Sequence, residues 1–178
     1  MSLYTKTGDE GETGIIGGKR IPKDDLRIEA TGSVDELNSM VGVVIAFSDD
    51  NEIKETLSKI QMSLFVIGTD LATPAGEKIA IPRLSPQKIS ELEAEIDRLD
   101  SELPKIQSFI LPGGSKTAAM IHLARTTCRE TERKVVALNR KTKVNEAIPV
   151  YLNRLSDLLF VFARWVNRKK KFPETLWR

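Results

Sequence analysis

The sequence predicts an all-α protein, a five-helix bundle with an N-terminal Gly-rich loop. Apolar residues recur every three or four positions through most of the 178 residues, which is the period of an amphipathic helix. No stretch shows the sustained apolar–polar alternation with β-branched residues that is typical of a strand. We therefore expect one domain over residues 1–178, with a loop at 1–24, a helix bundle at 25–168 and a tail at 169–178.

The first two helices are predicted at about 25–47 and 51–71, where isoleucine, leucine and valine form an apolar stripe. Gly32 interrupts the first of them, and a glycine inside a helix costs about 1 kcal/mol relative to alanine. Close packing or the approach of a ligand would explain this glycine. The alternative is a helix that starts late, at a capping box formed by Ser33 and Glu36.

The remaining three helices follow Pro/Gly-rich breaks. The third is predicted at about 86–103, with Ser85 as its N-cap and a proline in the first helical position. The fourth begins at Gly114 or Ser115 and runs to about residue 140, and the fifth covers about 147–168. Stripes of this kind usually pack nearly antiparallel, with short loops between neighbouring helices.

Composition excludes several classes of function. The chain has one cysteine, Cys128, and one histidine, His122, too few for a Cys/His zinc site or an intrachain disulfide. The net charge of +2 gives no support for general nucleic-acid binding. No apolar run approaches the length needed to span a membrane. We expect a cytoplasmic protein without nucleic-acid or membrane partners.

The fourth helix carries a polar face. His122, Arg125, Arg129 and Glu132 follow one another at spacings of three or four residues and share one side of the helix. Arginine suits bidentate recognition of phosphate or carboxylate groups. A solvated basic face would give the same pattern, and these residues alone do not separate the two interpretations.

The fifth helix is apolar over a wide surface but contains Asn153 and Asp157, one turn apart. These side chains are either polar groups of the core that hydrogen-bond each other or groups that face a ligand. The N-terminal stretch "YTKTGDEGETGIIGGKRIPK" is not a Walker P-loop, because Thr13 stands where that motif needs its first glycine. Its glycines, threonines and basic residues could form an anion cradle, and a disordered basic N-terminus would look similar.

Three segments taken together are more specific: "YTKTGDEGETG…GGKRIPKDDLRIEATGSVDELN", "FILPGG…AAMIHLARTTCRETER" and "YLNRLSDLLFVFAR". In order and spacing, and over nearly the whole chain, they resemble ATP:cob(I)alamin adenosyltransferases of the propanediol-utilisation type. The resemblance implies a homotrimeric five-helix bundle with active sites between subunits. Such an enzyme transfers the 5′-deoxyadenosyl group of ATP to the cobalt of reduced cobalamin, releases triphosphate and requires Mg²⁺.

The resemblance also implies residue roles. Asp35 would pair with Arg125 across the subunit interface. Phe109 would press against the lower face of the corrin, and Asp157 would also contact cobalamin. Mg²⁺ would be held mainly through the phosphates of ATP. The catalytic group would be Asp35, Arg125, Arg129 and Glu132. The ATP-binding residues would be Thr5, Lys6, Thr7, Gly8, Thr13, Gly14, Lys23, Arg129, Glu132, Arg133 and Asn153.

One position departs from the family pattern. Glu130 stands where the family commonly has an arginine, which leaves the role of that position open. The implied partners are ATP and cobalamin, with a corrinoid reductase and an adenosylcobalamin-dependent enzyme as protein partners. The alternative is a non-catalytic trimer that binds ATP or cobalamin as a carrier or sensor. A plain helical interaction protein is a third hypothesis.

Overall fold

The computed structural model describes Tyr4 and residues 6–177, which form a helical bundle with one small sheet. All five predicted helices are present within two residues of their predicted bounds, so the all-α prediction is confirmed. The helices are α1 Leu26–Phe47, α2 Asn51–Leu71, α3 Gln87–Ser101, α4 Lys116–Lys141 and α5 Ala147–Lys169. The strands are β1 Glu12–Gly14 and β2 Arg20–Pro22.

The helices pack in the order α2, α1, α4, α5, α3 around an aliphatic core. α1 and α4 run antiparallel, as two hydrogen bonds between them show. The Thr131 hydroxyl near the middle of α4 donates to the carbonyl of Ser33 in the first half of α1, 2.9 Å away. The Thr117 hydroxyl at the start of α4 donates to the carbonyl of Phe47 at the end of α1. α5 is the most extensively buried helix. None of the helices formed by the described residues is long and apolar enough to cross a bilayer.

α1 runs unbroken through Gly32. Its N-cap is Asp25, whose carboxylate accepts a hydrogen bond from the backbone N–H of Arg27, 2.8 Å away. The Ser33 hydroxyl donates to the Ala30 carbonyl and caps nothing, so the hypothesis of a late helix start is wrong. A Cβ at Gly32 would meet no atom within 4 Å, so packing inside this chain does not require the glycine either.

The expectation of no strand was wrong in the N-terminal segment, where β1 and β2 form an antiparallel hairpin that pairs Thr13 with Ile21. Strands of three residues are too short to show a period of two in the sequence. Gly17 and Gly18 both have positive φ and make the turn. The backbone N–H of Ile16 donates to the carbonyl of Ala72 at the end of α2, 3.2 Å away, which ties the hairpin to the bundle.

The C-terminal residues are also ordered by pairing. Beyond α5 the chain reverses at Lys171, which has φ 57°, and Leu176 forms an antiparallel bridge with Ile110 in the connection between α3 and α4. The segment predicted as a tail is therefore packed against the loop that contains Phe109.

Candidate functional site

The exposed side of α4 and α5 gathers several of the predicted site residues, and we call it the α4–α5 face. The amide of Asn153 donates to the Glu132 carboxylate across the two helices at 3.1 Å. Asn153 and Asp157 are both exposed, so the interpretation of these residues as a buried polar pair is wrong. The α4–α5 face consists of Arg129, Glu132, Arg133, Asn153 and Asp157.

Asp157 is held in an ion-pair chain that continues to α3. Its carboxylate lies 2.8 Å from Nη1 of Arg154, and Nε of the same arginine lies 3.0 Å from Glu93. Arg154 thus orients Asp157 along the face and connects α5 to α3. Cross-helix pairs of this kind cannot be read from the spacing of residues within one helix.

Arg125 and His122 lie deeper than the polar stripe predicted. Arg125 is half-buried, and its Nε is buried without a hydrogen-bond partner among the described residues. Burial and the neighbouring Arg129 both lower the pKa of Arg125. His122 is buried against the ring of Phe160, at 6.3 Å between centroids, so it does not belong to the exposed face.

The surroundings of His122 favour the neutral form of its imidazole. Burial, reinforced by the charge of Arg125, lowers the pKa of His122 to about 4, although Glu174 acts in the opposite direction. Its Nδ1 is buried and has no hydrogen-bond partner among the described residues. This histidine is chiefly a packing residue.

Glu130, the residue that departs from the family pattern, faces α1. It lies 3.3 Å from the ammonium of Lys134, which is also paired at 2.8 Å with Glu29 of α1. These exposed ion pairs contribute little to the free energy of unfolding, but they hold the Glu130 carboxylate beside Lys134 and α1. The carboxylate therefore serves a helix–helix contact in this chain, beside the α4–α5 face.

A second group of predicted residues lines a cleft of about 390 Å³ between α1 and α2 beside the hairpin, which we call the hairpin groove. Thr13 of β1 and Asp35 of α1 both line it, and Gly32 forms part of its wall. The Oδ1 atom of Asn38, also in the groove, is buried without a hydrogen-bond partner among the described residues. The glycine thus leaves room in a groove that contains one buried polar atom without a partner among the described residues, Oδ1 of Asn38.

The other predicted ATP residues of the N-terminal segment lie on the hairpin or directly before or after it in sequence. The guanidinium of Arg20 donates to the backbone carbonyls of Thr7 and Glu12, at 2.5 and 3.2 Å, and folds the preceding segment onto the strands. The ammonium of Lys23 lies 3.4 Å from the position that a Cβ on Gly8 would take. Lys6 has φ 61° and is exposed, Gly14 is the last residue of β1, and Thr5 lies outside the described residues.

Phe109 is highly exposed, at 79% of its surface. Its ring contacts the indole of Trp177 edge-on, at 6.3 Å and 69° between the two ring planes. Sequence reasoning did not identify Trp177, because only the fold brings the end of the chain to this loop. A large exposed aromatic ring held by a second one suits contact with a flat apolar ligand surface.

The two groups of site residues are not joined within one chain. None of the ion pairs found between described residues involves Asp35 or Arg125, and the α1–α4 contacts beside them are made by other residues. Among the described residues, no cluster of three or more His, Cys, Asp or Glu side chains could hold a metal ion. The arrangement offers cations and backbone N–H groups for an anion, on two separate surfaces.

Known proteins that are similar to this chain include corrinoid adenosyltransferases. The family model described as cobalamin adenosyltransferase matches residues 3–166. A corrinoid adenosyltransferase of Bacillus subtilis (strain 168) is 45% identical over 173 residues, covering 95% of this chain and 88% of that protein. A cobalamin adenosyltransferase of Cupriavidus metallidurans is 42% identical over 177 residues, covering 99% of this chain and 94% of that protein.

The fold is found in solved structures of the same class. A phenylalanine-to-alanine variant of the PduO-type ATP:corrinoid adenosyltransferase from Lactobacillus reuteri, complexed with cobalamin and ATP, superposes with a TM-score of 0.96 at 39% identity, covering 99% of both chains. An arginine-to-lysine variant complexed with ATP gives 0.94 at 39% identity, covering 99% of this chain and 100% of that one. Family model, relatives and structures agree over nearly the whole length, and this chain belongs to the cobalamin adenosyltransferase family.

Proposed function

We propose that this protein is an ATP:cob(I)alamin adenosyltransferase, which transfers the 5′-deoxyadenosyl group of ATP to the cobalt of cob(I)alamin and releases triphosphate. The observation that carries the proposal is the match, over 99% of both chains, to an enzyme structure complexed with cobalamin and ATP. The α4–α5 face and the hairpin supply the cations and backbone groups that such a reaction requires.

The reaction needs no protein nucleophile. The cobalt(I) centre supplies an electron pair that attacks C5′ of the ribose, so that the Co–C5′ bond forms as the C5′–O bond breaks. The electrons of the broken bond pass to the departing oxygen of triphosphate. The protein must align the two reactants and stabilise the negative charge that grows on the leaving group.

The residues of the α4–α5 face suit this task. Arg129 and Arg133 are exposed and can donate to phosphate oxygens, and Asn153 orients the neighbouring Glu132. On the hairpin side, Lys23 adds a cation beside Gly8, where the backbone can approach a phosphate closely. Mg²⁺ would be held mainly by the phosphate oxygens, as is common for this ion at nucleotide sites.

No ion pair or hydrogen bond found between described residues joins the hairpin groove to the α4–α5 face, which supports sites completed between the subunits of a homotrimer. Asp35 of one subunit would pair with Arg125 of the next. The half-buried guanidinium of Arg125, with an unsatisfied Nε, needs such a partner in the assembled protein. The roomy hairpin groove at Gly32 and Asp35 would then receive the neighbouring subunit or the nucleotide.

Phe109 and Asp157 would contact cobalamin, the phenylalanine by covering the lower face of the corrin. Its exposure of 79% leaves the ring free to do so. By excluding a lower ligand, this ring would favour a four-coordinate cobalt that is easier to reduce. Because cob(I)alamin must be generated by reduction, a corrinoid reductase would act before this enzyme and an adenosylcobalamin-dependent enzyme after it, in the cytoplasm.

An anaerobic turnover assay tests the proposal. Purified protein with cob(I)alamin, ATP and Mg²⁺ under strong reductant should form adenosylcobalamin and one equivalent of triphosphate. Binding of either substrate without any product would instead favour the carrier or sensor. Failure to bind ATP and cobalamin at all would favour an interaction protein.

A further inference from the structure

The C-terminal segment and the loop that carries Phe109 are built as one unit. The backbone N–H of Leu111 donates to the carbonyl of Thr175, and the N–H of Trp177 donates to the carbonyl of Phe109, both at 2.8 Å. Together with the edge-on contact between Trp177 and Phe109, these two bonds hold the backbone and the ring of the phenylalanine.

The chain reverses direction after α5 and returns to the loop that carries Phe109. The N–H of Phe172 donates to the carbonyl of Asn167 at 2.8 Å, and the N–H of Lys171 donates to that of Arg168 at 3.0 Å. With Lys171 in the left-handed region at φ 57°, these bonds form a Schellman motif, a common way to end a helix and turn the chain back.

An ion pair between a buried arginine and a partly exposed carboxylate holds the returning segment. Arg164 of α5 has only 2% of its side chain exposed, and its Nε donates to the Glu174 carboxylate at 2.7 Å. The same guanidinium donates to the carbonyl of Pro104 at 2.9 Å, at the start of the connection that leads to Phe109. One arginine therefore holds both the C-terminal segment and that connection.

We propose that Glu174 and Arg164 form a latch that positions Phe109, so that both are positioning residues for the cobalamin half of the reaction. This rests on the proposed function, in which Phe109 faces the corrin. Glu174 directly precedes the residues that pair with the loop, so releasing it frees Thr175 to Trp177 from their partners. Neither latch residue lies in the hairpin groove or on the α4–α5 face, so ATP binding should not depend on them.

The test compares two substitutions of carboxylate by amide beside the same arginine. Glu174→Gln removes the latch charge, whereas Asp100→Asn removes an exposed carboxylate 3.9 Å from Nη1 of Arg164 that holds no part of the C-terminal segment. Far-UV circular dichroism should be the same for both. In Glu174→Gln the amides of Leu111 and Trp177 should exchange with solvent at least about tenfold faster, and in Asp100→Asn they should exchange as in the parent.

The kinetic readout separates positioning from general damage. Glu174→Gln should lower kcat about tenfold and leave the KM for ATP within about twofold, because a small displacement of a positioned group mainly affects the reacting geometry. In a Phe109→Ala background the same change should cost nothing further, since a residue that acts through Phe109 has nothing left to position.

Three results would overturn the proposal. Unchanged exchange at Leu111 and Trp177 in Glu174→Gln would show that there is no latch. Faster exchange with a normal kcat would show that the latch does not serve the reaction, and an equal loss in the Phe109→Ala background would show that it does not act through Phe109. A parent protein that makes no adenosylcobalamin contradicts the proposed function instead, and the exchange measurements still decide whether the latch exists.

Discussion

Arg125 and Arg129 lie one turn apart on α4 but in different surroundings. Arg125 is half-buried with an unsatisfied nitrogen, whereas Arg129 is exposed and has no ion-pair partner among the described side chains. An arginine that is free at a surface with an oriented amide and carboxylate beside it is available to a ligand. The difference supports the proposal that Arg125 acts in assembly of the site and that Arg129 contacts the leaving group directly.

Arg129→Ala should lower kcat by about a hundredfold, equivalent to about 3 kcal/mol, because one charged donor to the growing triphosphate charge is lost. The fold and the oligomeric state should not change, since the side chain is exposed. The measurement is steady-state formation of adenosylcobalamin together with analytical ultracentrifugation. A variant with normal kcat would show that Arg129 does not contact the leaving group.

His122 should make the protein less stable in mild acid. Its pKa of about 4 in the folded protein lies below its ordinary value of 6.5, so the unfolded chain takes up a proton at a higher pH than the native chain. The contribution of His122 to the free energy of unfolding is present above pH 6.5 and is lost as the pH falls toward 4. The free energy of unfolding should therefore fall by about 2 kcal/mol between pH 7 and pH 5. Urea unfolding of wild type and His122→Gln at both values tests this, since the variant should lack this part of the pH dependence.

Gly114 can be replaced by no other residue without strain. Its φ is +107°, and a Cβ there would overlap the side-chain amide of Asn167, which donates to the carbonyl of Gly113 and accepts from the N–H of Ser115, both at 2.9 Å. Gly114→Ala should therefore destabilise the fold by about 2–4 kcal/mol. Gly113→Ala is the matched control, because its Cβ would meet nothing within 4 Å. Equal denaturant midpoints for the two variants would contradict the prediction.

At the level of elements, the helices were predictable because their signals are local. Asp25 and Ser115 cap α1 and α4 through their own side chains, whereas the N-cap position of α3 is occupied by Pro86 and not by the predicted Ser85. The hairpin was not predictable, because its strands are only three residues long. The guanidinium of Arg20 also donates to the carbonyl of Thr7, and a contact between these two residues has no local signal in the sequence. Sequence reasoning counted this arginine only as a source of charge.

The site was predictable only in part, for a related reason. Spacing within α4 correctly placed Arg129 and Glu132 on one side, but it could not tell that His122 turns into the core against Phe160 of α5. Whether a side chain in such a stripe is buried depends on the neighbouring helix. The bridge between Ile110 and Leu176 joins residues 66 positions apart and leaves no local trace in the sequence.

The turn after α5 uses Lys171 where glycine is usual. Lysine in the left-handed region costs about 1 kcal/mol, so Lys171→Gly should stabilise the protein by about 0.5–1 kcal/mol and raise its Tm by about 2 °C. Lys171→Ala removes the same charge and keeps the strain, so it should not stabilise. Differential scanning calorimetry of the three proteins is the measurement, and equal gains in both variants would attribute the effect to charge.

At the level of the whole molecule, one chain presents two groups of proposed site residues on different surfaces. The hairpin groove contains Asp35 and the α4–α5 face contains Arg129, and no bond between described residues connects them. If a site is shared between subunits, two variants that are each inactive can complement each other. A subunit with an intact groove and a neighbour with an intact α4–α5 face would together form one working site.

Asp35→Asn and Arg129→Ala should each be strongly impaired as separate proteins, yet oligomers co-assembled from both variants should recover activity. With equal amounts and random mixing, about a quarter of the sites combine an intact groove with an intact face, so about a quarter of wild-type activity is expected. Mixing the two purified proteins without subunit exchange should recover nothing, which is the control. The double variant co-assembled with an equal amount of wild type should also show about a quarter of wild-type activity. In that mixture, a site is active only where both neighbouring subunits are wild type. Activity that never exceeds the sum of the separate variants would place each complete site within a single chain.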